Sequence, residues 1–570
     1  MTDQPRISAG AALLARLKAV GVDYIFANSG TDFPPVIEGL AEAMAKDIPL
    51  PQALTIPHEH AAMGMAHGYY LATGRAQAVM AHTDVGLANC AIGALNAHVE
   101  HVPILLFSGR TPTVEKGRFG ARTVPIGWGQ EMRDQSALVR EACKWDYELR
   151  FPEQVPELID RAMAIASSTP AGPVYVSLPR EVLCESCAAE GLDAPPRMRA
   201  HASAPGQEAI AELAARIAQA EFPVIFAQHG AGDAEGFAAL GRIAERWAIP
   251  VCQYWANRLA LPSDHPMAAP ADPAPLLARA DLVICLDVLA PWMPEVHEPR
   301  AEACVVQIGP NPLAQRTPIR NFRADLAIAS DTAAALLALE AALAAQVPGA
   351  GVAARYEEQA GINRAAYAAA RAAAQPDASG GMTKAQIALA LSEALENRLN
   401  GAPATLLSEL GCPMAPMRLS DPQSWYMEPH AGGLGWSFPA ALGMQLAAPD
   451  RLVVATMGDG TYMFANPVVC HQIAEALNLP VLVIILNNAE WGAVRQSVTG
   501  LYPQGYAARA NQVPLTGLSP SPDFTLVAQA SRALAFRAGD HAAFRAALDE
   551  ALDHVLNRRG PALIDVSTRP

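Results

Sequence analysis

Two apolar runs late in the chain each end on oxygen-bearing side chains. Arg451-Leu-Val-Val-Ala-Thr-Met-Gly-Asp-Gly460 closes on a carboxylate between glycines, and Pro480-Val-Leu-Val-Ile-Ile-Leu-Asn-Asn488 closes on two amides. Asp459 offers a carboxylate and Asn488 an amide oxygen, while Gly458 and Gly460 let backbone N–H groups come close to an anion. Hard oxygen ligands beside such a cradle suit magnesium bound to a diphosphate. Either cluster alone would be only a turn or a strand end. What joins them is the pattern of elements: each run reads as a buried parallel strand, and the stretch from about Pro467 to Asn478 reads as a helix. The result is a β-α-β unit that sets both clusters at carboxyl ends of strands, where open α/β sheets bind ligands.

Gly458-Asp459-Gly460, a gap of 26 residues and then Asn487-Asn488 resembles the thiamine diphosphate motif. More narrowly, the chain is similar to the branch holding acetohydroxyacid synthase, pyruvate oxidase and benzoylformate decarboxylase, over nearly its whole length. The resemblance implies thiamine diphosphate and Mg2+, the metal held by Asp459, Asn488 and the backbone carbonyl of Glu490. Diphosphate contacts would come from the backbone of Gly458, Gly460, Thr461 and Tyr462, with further contacts from Gly411 and Cys412.

The same resemblance assigns the remaining chemistry. Glu59, in Pro57-His58-Glu59-His60, matches the acid that faces the cofactor's pyrimidine ring; the bland reading is a first-turn acid favoured by the helix dipole. A zinc site on His58 and His60 has no evident third ligand, and positions i and i+2 diverge on a helix. Leu434, in Ala431-Gly-Gly-Leu-Gly435, matches the apolar wedge that bends the cofactor, and Gly432 the carbonyl that holds its amino group. The G-x-G-x-x-G spacing of a dinucleotide loop is missing there. His82 resembles a decarboxylase histidine, including its 23-residue separation from Glu59. An imidazole titrating near neutrality can protonate the carbon left after loss of CO2. His265, in a His-Pro dipeptide, resembles a second such histidine, with a loop role as the competing reading; Thr31 stands where a carboxylate-binding serine is expected, or caps a turn.

Other segments lean toward synthases and oxidases: Gly172-Pro-Val-Tyr-Val-Ser-Leu-Pro-Arg-Glu-Val182, Cys143-Lys-Trp-Asp146 and, in part, Gln130-Glu131. The Arg-Phe-Asp cue of flavin-binding members is replaced by Asp287-Val-Leu-Ala-Pro-Trp292, which counts against bound FAD. Trp491, Trp128 and a Pro/Gly-rich stretch at 500–522 are expected near substrate space, the last as a lid.

At 570 residues the chain should hold about three domains. Linker-like stretches at 186–206 and 348–382 divide it into 1–185, 206–347 and 380–570. Each block alternates apolar strands with amphipathic helices, so the expected fold class is α/β with three doubly wound, mainly parallel sheets. The resemblance names them pyrimidine-binding, central and diphosphate-binding. A net charge of -15 argues against nucleic acid as a partner, and no apolar run reaches membrane-spanning length. The polar start Met1-Thr-Asp-Gln-Pro5 lacks the pattern of a signal peptide, so a cytoplasmic protein is expected. Cys184-Glu-Ser-Cys187 has no second pair or nearby histidines and reads as two incidental cysteines. The expected activity is decarboxylation of a 2-oxo acid to an aldehyde, or ligation to a second carbonyl compound. Acetolactate synthesis or a flavin-linked oxidation is the alternative, and a non-catalytic cofactor-binding protein a more distant one. The resemblance further implies a homodimer or homotetramer with sites between subunits.

Overall fold

The computed structural model describes residues 5–377 and 381–569; residues 1–4 of the polar start, 378–380 of the second linker and residue 570 lie outside the described residues. Strands such as Val174–Pro179, Leu282–Leu286 and Val481–Asn487 are apolar and buried almost throughout, so both faces of each sheet must be covered by helices. The outcome is three six-stranded sheets with every strand pair parallel.

Two compact units carry them. The first holds the chain up to His201 together with Pro429–Pro449. Its sheet runs in space Gln52–Thr55, Tyr24–Ala27, Gln77–Ala81, Ile104–Arg110, Val174–Pro179, Asp146–Glu148. The chain leaves Tyr24–Ala27 toward one edge and returns to build the other, so the switch point lies between Tyr24–Ala27 and Gln77–Ala81. Asn28 and His82 are the residues that follow those two strands.

Pro429–Pro449, part of the last block in chain order, packs with this first unit. Its helix Ser437–Ala447 lies against the helix Glu59–Thr73 at backbone distance, and glycines make that possible. A Cβ on Gly68 would stand 1.9 Å from the Ala440 carbonyl oxygen, and one on Gly443 1.9 Å from that of Met65.

The second unit holds Ala202–Glu428 and the chain from Asp450 onward, with two sheets. One runs Ala268–Ala269, Val251–Cys252, Pro223–Ala227, Leu282–Leu286, Cys304–Gly309, Leu326–Ala329. The other runs Trp425–Met427, Ala404–Glu409, Leu452–Gly458, Val481–Asn487, Ala562–Ser567, Leu534–Ala538, with its switch point between Ala404–Glu409 and Leu452–Gly458. Gly411 and Asp459 stand just past the ends of those two strands. No helix among the described residues is long and apolar enough to cross a membrane. The nine cysteines are free, Cys187 buried in a short strand.

Candidate active site

Glu59 opens its helix with a carboxylate that is only 5 % exposed. Burying a carboxylate is costly unless hydrogen bonds replace water. Two amides do so: Asn28 Nδ2 donates to Oε1 at 2.9 Å and Asn89 Nδ2 to Oε2 at 3.0 Å. Gly86 leaves the room, since a Cβ there would lie 2.8 Å from Oε1. The flanking histidines point elsewhere. His58 Nδ1 accepts the His60 N–H as a helix cap, and His60 Nε2 meets the Gly435 carbonyl oxygen at 3.2 Å. Burial lowers the His60 pKa.

That His60 contact fastens the glycine-rich turn to the same end of the helix. Asn96 adds a two-sided grip, donating to the Gly433 carbonyl at 2.9 Å and accepting its N–H at 3.2 Å. Gly432 (φ 69°) and Gly435 (φ 81°) take left-handed backbone that side chains resist. Leu434, between them, is partly exposed, so an apolar side chain stays available on the unit that carries Glu59.

His82 follows its strand with Nδ1 in a short hydrogen bond to Asp32 Oδ1, while Gln130 Nε2 stands 2.9 Å from Nε2. Asp32 is 6 % exposed and also accepts the Thr83 N–H at 3.3 Å. Thr83 sits at φ 38°, a backbone that costs a β-branched residue roughly 1–3 kcal/mol, and the carboxylate helps to hold it there. Two glycines shape the slot. A Cβ on Gly30 would fall 2.1 Å from His82 Nδ1, and one on Gly109 1.6 Å from Asp32 Oδ2. The hydrogen bond to Asp32 raises the His82 pKa, outweighing the opposing effect of burial. With Nδ1–H given to Asp32, Nε2 is the ring edge left for proton exchange. Neutral, it accepts from the Gln130 amide; protonated, it can face the amide oxygen after a half-turn of that group.

Thr31 is exposed beside Asp32, and its carbonyl accepts from Arg180 at 3.3 Å. Glu131 is tied to Arg110, Arg122 and Thr111 and is a loop brace. Trp128 is 48 % exposed, with Arg122 stacked 5.0 Å from its ring centre.

In the second unit, Asp459 starts the helix Asp459–Phe464 at 2 % exposure, and its Oδ2 is buried without a protein partner among the described residues. Burial raises its pKa. Asn488 Oδ1 accepts the Glu490 N–H at 3.2 Å, turning the loop that follows. An orphaned buried carboxylate oxygen and an amide oxygen at the ends of two paired strands are donor types that suit a hard cation, and these residue types fit magnesium. Two further expected contacts are likewise engaged. The Glu490 carbonyl accepts the Gly492 N–H at 2.8 Å, and the Cys412 N–H is donated to Thr456 Oγ1 at 3.1 Å. Gly411 packs so closely on Thr456 that a Cβ would lie 2.4 Å from its carbonyl oxygen. Thr461 is buried, and Tyr462 turns its side chain into the core, its hydroxyl 2.7 Å from His471 Nε2, so only its backbone is on offer.

The Trp491 ring covers Gly460, where a Cβ would meet it at 2.4 Å. The 500–522 stretch is fastened beside the loop: Thr516 donates to the Glu490 carboxylate at 2.7 Å and Leu518 N–H to the Ala489 carbonyl at 2.8 Å. Its helix Tyr506–Ala510, like Gly492–Leu501 before it, has no buried residue. His265 lies in the central part of this unit. Its Nδ1 accepts the Met267 N–H at 3.1 Å, and it borders Gly241 on the Ala234–Trp247 helix. Burial lowers its pKa.

Asn28, Asn89, Asn96 and Asp32 are neighbours of the candidate residues to which the sequence reading gave no role, and Gln130 was read only as part of a segment leaning toward synthases. The partners of Asp32 and Asn28 lie 50 and 31 residues away.

Three family models match the chain: the thiamine pyrophosphate enzyme N-terminal TPP binding domain at residues 7–138, the central domain at 210–339, and the C-terminal TPP binding domain at 410–566. A probable 2-ketoarginine decarboxylase of Pseudomonas aeruginosa is 29% identical over 541 residues, covering 93% of this chain and 89% of that one. The benzoylformate decarboxylase of the same organism is 28% identical, covering 97% of each. An acetolactate synthase of Mycobacterium bovis is 26% identical, covering 92% of this chain and 82% of that one. Among solved structures, a thiamine diphosphate-dependent 4-hydroxybenzoylformate decarboxylase of Rhodococcus jostii superposes with a TM-score of 0.78 at 24% identity, covering 99% of both chains; at that identity the likeness speaks for the fold.

Proposed function

The chain belongs to the thiamine pyrophosphate enzymes, and from that premise we propose that it decarboxylates a 2-oxo acid and releases an aldehyde, using thiamine diphosphate and magnesium. Bound to the protein, thiamine diphosphate supplies an electron sink for cleaving the bond to the carboxylate. Glu59 is the carboxyl that holds or releases a proton on the pyrimidine side, oriented by Asn28 and Asn89. Leu434, presented by the turn that His60 and Asn96 anchor, is the wedge. Asp459 and Asn488 hold the metal, and the backbone from Gly458 to Tyr462 faces the diphosphate. Trp491 and the 513–518 segment, fastened to Ala489 and Glu490, lie beside that loop.

The observation that carries the aldehyde reading is the Asp32–His82–Gln130 chain. A histidine whose pKa an aspartate raises stays protonated further toward neutral pH, and it can deliver a proton from Nε2. Ligation to a second carbonyl compound, the reaction of a synthase, needs no such donor at that step. No flavin is invoked, and the resemblance to other members makes a homodimer the smallest assembly proposed.

The test is product analysis with thiamine diphosphate and magnesium across aliphatic and aromatic 2-oxo acids. Aldehyde as the main product, lost in His82→Ala while cofactor affinity is kept, is the expected outcome. Acetolactate or a hydroxyketone as the main product would overturn the reading in favour of a synthase, and a yellow protein would favour an oxidase.

A further inference from the structure

Strand Ala404–Glu409 ends at the switch point of its sheet, and the turn that follows is held from several sides. Leu410 forms a bridge with Met457, and the Cys412 N–H is donated to Thr456 Oγ1 at 3.1 Å. The turn therefore lies against the strand that leads into Asp459. Leu410 itself sits at φ 54°, backbone that a residue with a Cβ seldom adopts. Two charged side chains fix it there. Glu428 Oε2 accepts its N–H at 3.3 Å, and Lys384 Nζ donates to its carbonyl at 2.5 Å.

Lys384 is the member that local structure does not call for. It opens the helix Lys384–Leu399, where a cation opposes the helix dipole. The residue is exposed, so its amine had water available and is instead moored on the Leu410 carbonyl. An ammonium carries three N–H donors and this bond uses one; among the described residues Nζ makes no other hydrogen bond. Lys384 lines one cavity together with Gly411 and Cys412, and it is the only cation of that wall among the described residues. The Asp459 and Glu428 carboxylates are both near enough for their charges to act on the amine.

A diphosphate and the Asp459 carboxylate together carry more negative charge than one magnesium ion offsets. Glycine N–H groups add only partial charges, so the cradle calls for a further cation. Glu428 does not cancel the lysine, because burial raises its pKa toward the neutral form. Burial also lowers the Lys384 pKa, a shift that an anion beside the amine would oppose.

We propose that Lys384 is a further binding residue for the diphosphate of thiamine diphosphate, its ammonium moored by the Leu410 carbonyl beside the Gly411–Cys412 turn and offering its remaining N–H donors to the anion. The inference rests on the cofactor reading above and is independent of which product the enzyme releases.

The probes are thiamine diphosphate and inorganic pyrophosphate, each titrated with magnesium into the full-length protein. Binding is read from tryptophan fluorescence, to which Trp491 over Gly460 contributes. Lys384→Met keeps the length of the stem and removes the charge. It should weaken both probes by about tenfold or more, the worth of one hydrogen bond to a charged group. Raising KCl from about 0.05 to about 0.5 M should weaken the native protein more than this variant, since screening acts on the missing charge. Lys384→Arg should stay within about threefold of native affinity. Glu428→Gln keeps an acceptor for the Leu410 N–H and should bind both probes at least as tightly as the native chain. A role confined to holding Leu410 would instead weaken Lys384→Met and Glu428→Gln alike. If Lys384→Met does not fold, Lys384→Gln, which keeps a donor for the carbonyl without the charge, decides in its place. Native affinity in the uncharged variant, an unchanged salt dependence, or equal weakening in Lys384→Arg would overturn the proposal and leave the cofactor reading standing. A native chain that binds neither probe would overturn both.

Discussion

His82 Nδ1 and Asp32 Oδ1 share a short hydrogen bond, made by residues 50 positions apart at neighbouring ends of one parallel sheet. The bond fixes the ring and raises its pKa, so Nε2 is the edge that carries a mobile proton. Asp32→Asn keeps the shape but removes the charge. Aldehyde release should then lose part of the roughly 10²–10⁴-fold that a positioned acid supplies. Its fall at high pH should begin at lower pH than in the native protein. The same linkage acts on stability. Because the folded value is raised, His82 adds stability below the ordinary histidine range, and that contribution is lost as pH rises through the raised value. A pH–rate profile unchanged by Asp32→Asn would remove Asp32 from the mechanism.

Gly109 tests the same pair without touching it. The added methyl of Gly109→Ala would lie 1.6 Å from Asp32 Oδ2, so the carboxylate must move off His82. The variant should reproduce the pH shift of Asp32→Asn while thiamine diphosphate still binds, as read by near-UV circular dichroism. Gly129→Ala, with nothing within 4 Å of the new methyl, is the control. Equal profiles in the two alanine variants would count against the slot.

Glu59 offers a graded series. Asn89→Leu removes the donor to Oε2 and leaves the Asn28 bond in place. A hydrogen bond to a charged group is worth about 1.5–3 kcal/mol, so turnover should fall by roughly one to two orders of magnitude. Glu59→Gln should fall further and be unaffected by adding Asn89→Leu, because both act through one carboxyl. Additive losses in the double variant would show that Asn89 works by another route.

Much of the fold was legible because the interior strands are continuous apolar runs. Tyr24–Ala27, Pro223–Ala227 and Leu282–Leu286 are such apolar runs, and each is a strand at those residues. The edge strands were not legible. Gln52–Thr55 buries one residue of four, and Val251–Cys252 is two residues long, too short for any periodicity. The neighbouring placement of Asp459 and Asn488 at strand ends was readable since both lie on one β-α-β unit. The roles of Asp32, Asn89 and Gln130 were not, because what singles them out is contact with His82 and Glu59, which lie far off in sequence. Pro429–Pro449 lies in the last block by chain order, and the packing of its glycines against the Glu59 helix was not legible from order alone.

Asp459 should show opposite effects on stability and on metal binding. Its Oδ2 is buried with no protein partner among the described residues, and burial raises its pKa. In metal-free protein the folded state therefore holds the proton to higher pH than the unfolded state. Stability should fall as pH rises from the ordinary carboxylate range through the raised value. Asp459→Asn cannot ionise, so it should raise the thermal midpoint of the metal-free protein, removing a penalty of roughly 1–3 kcal/mol. Magnesium reverses the order, because a divalent ion offsets the buried charge in the native protein and finds no anion in the variant. With magnesium and thiamine diphosphate, the native midpoint should climb above that of Asp459→Asn, and chelation should restore the original ranking. Scanning calorimetry of both proteins with and without the metal checks this. A variant that gains as much from magnesium as the native chain would move the metal away from Asp459.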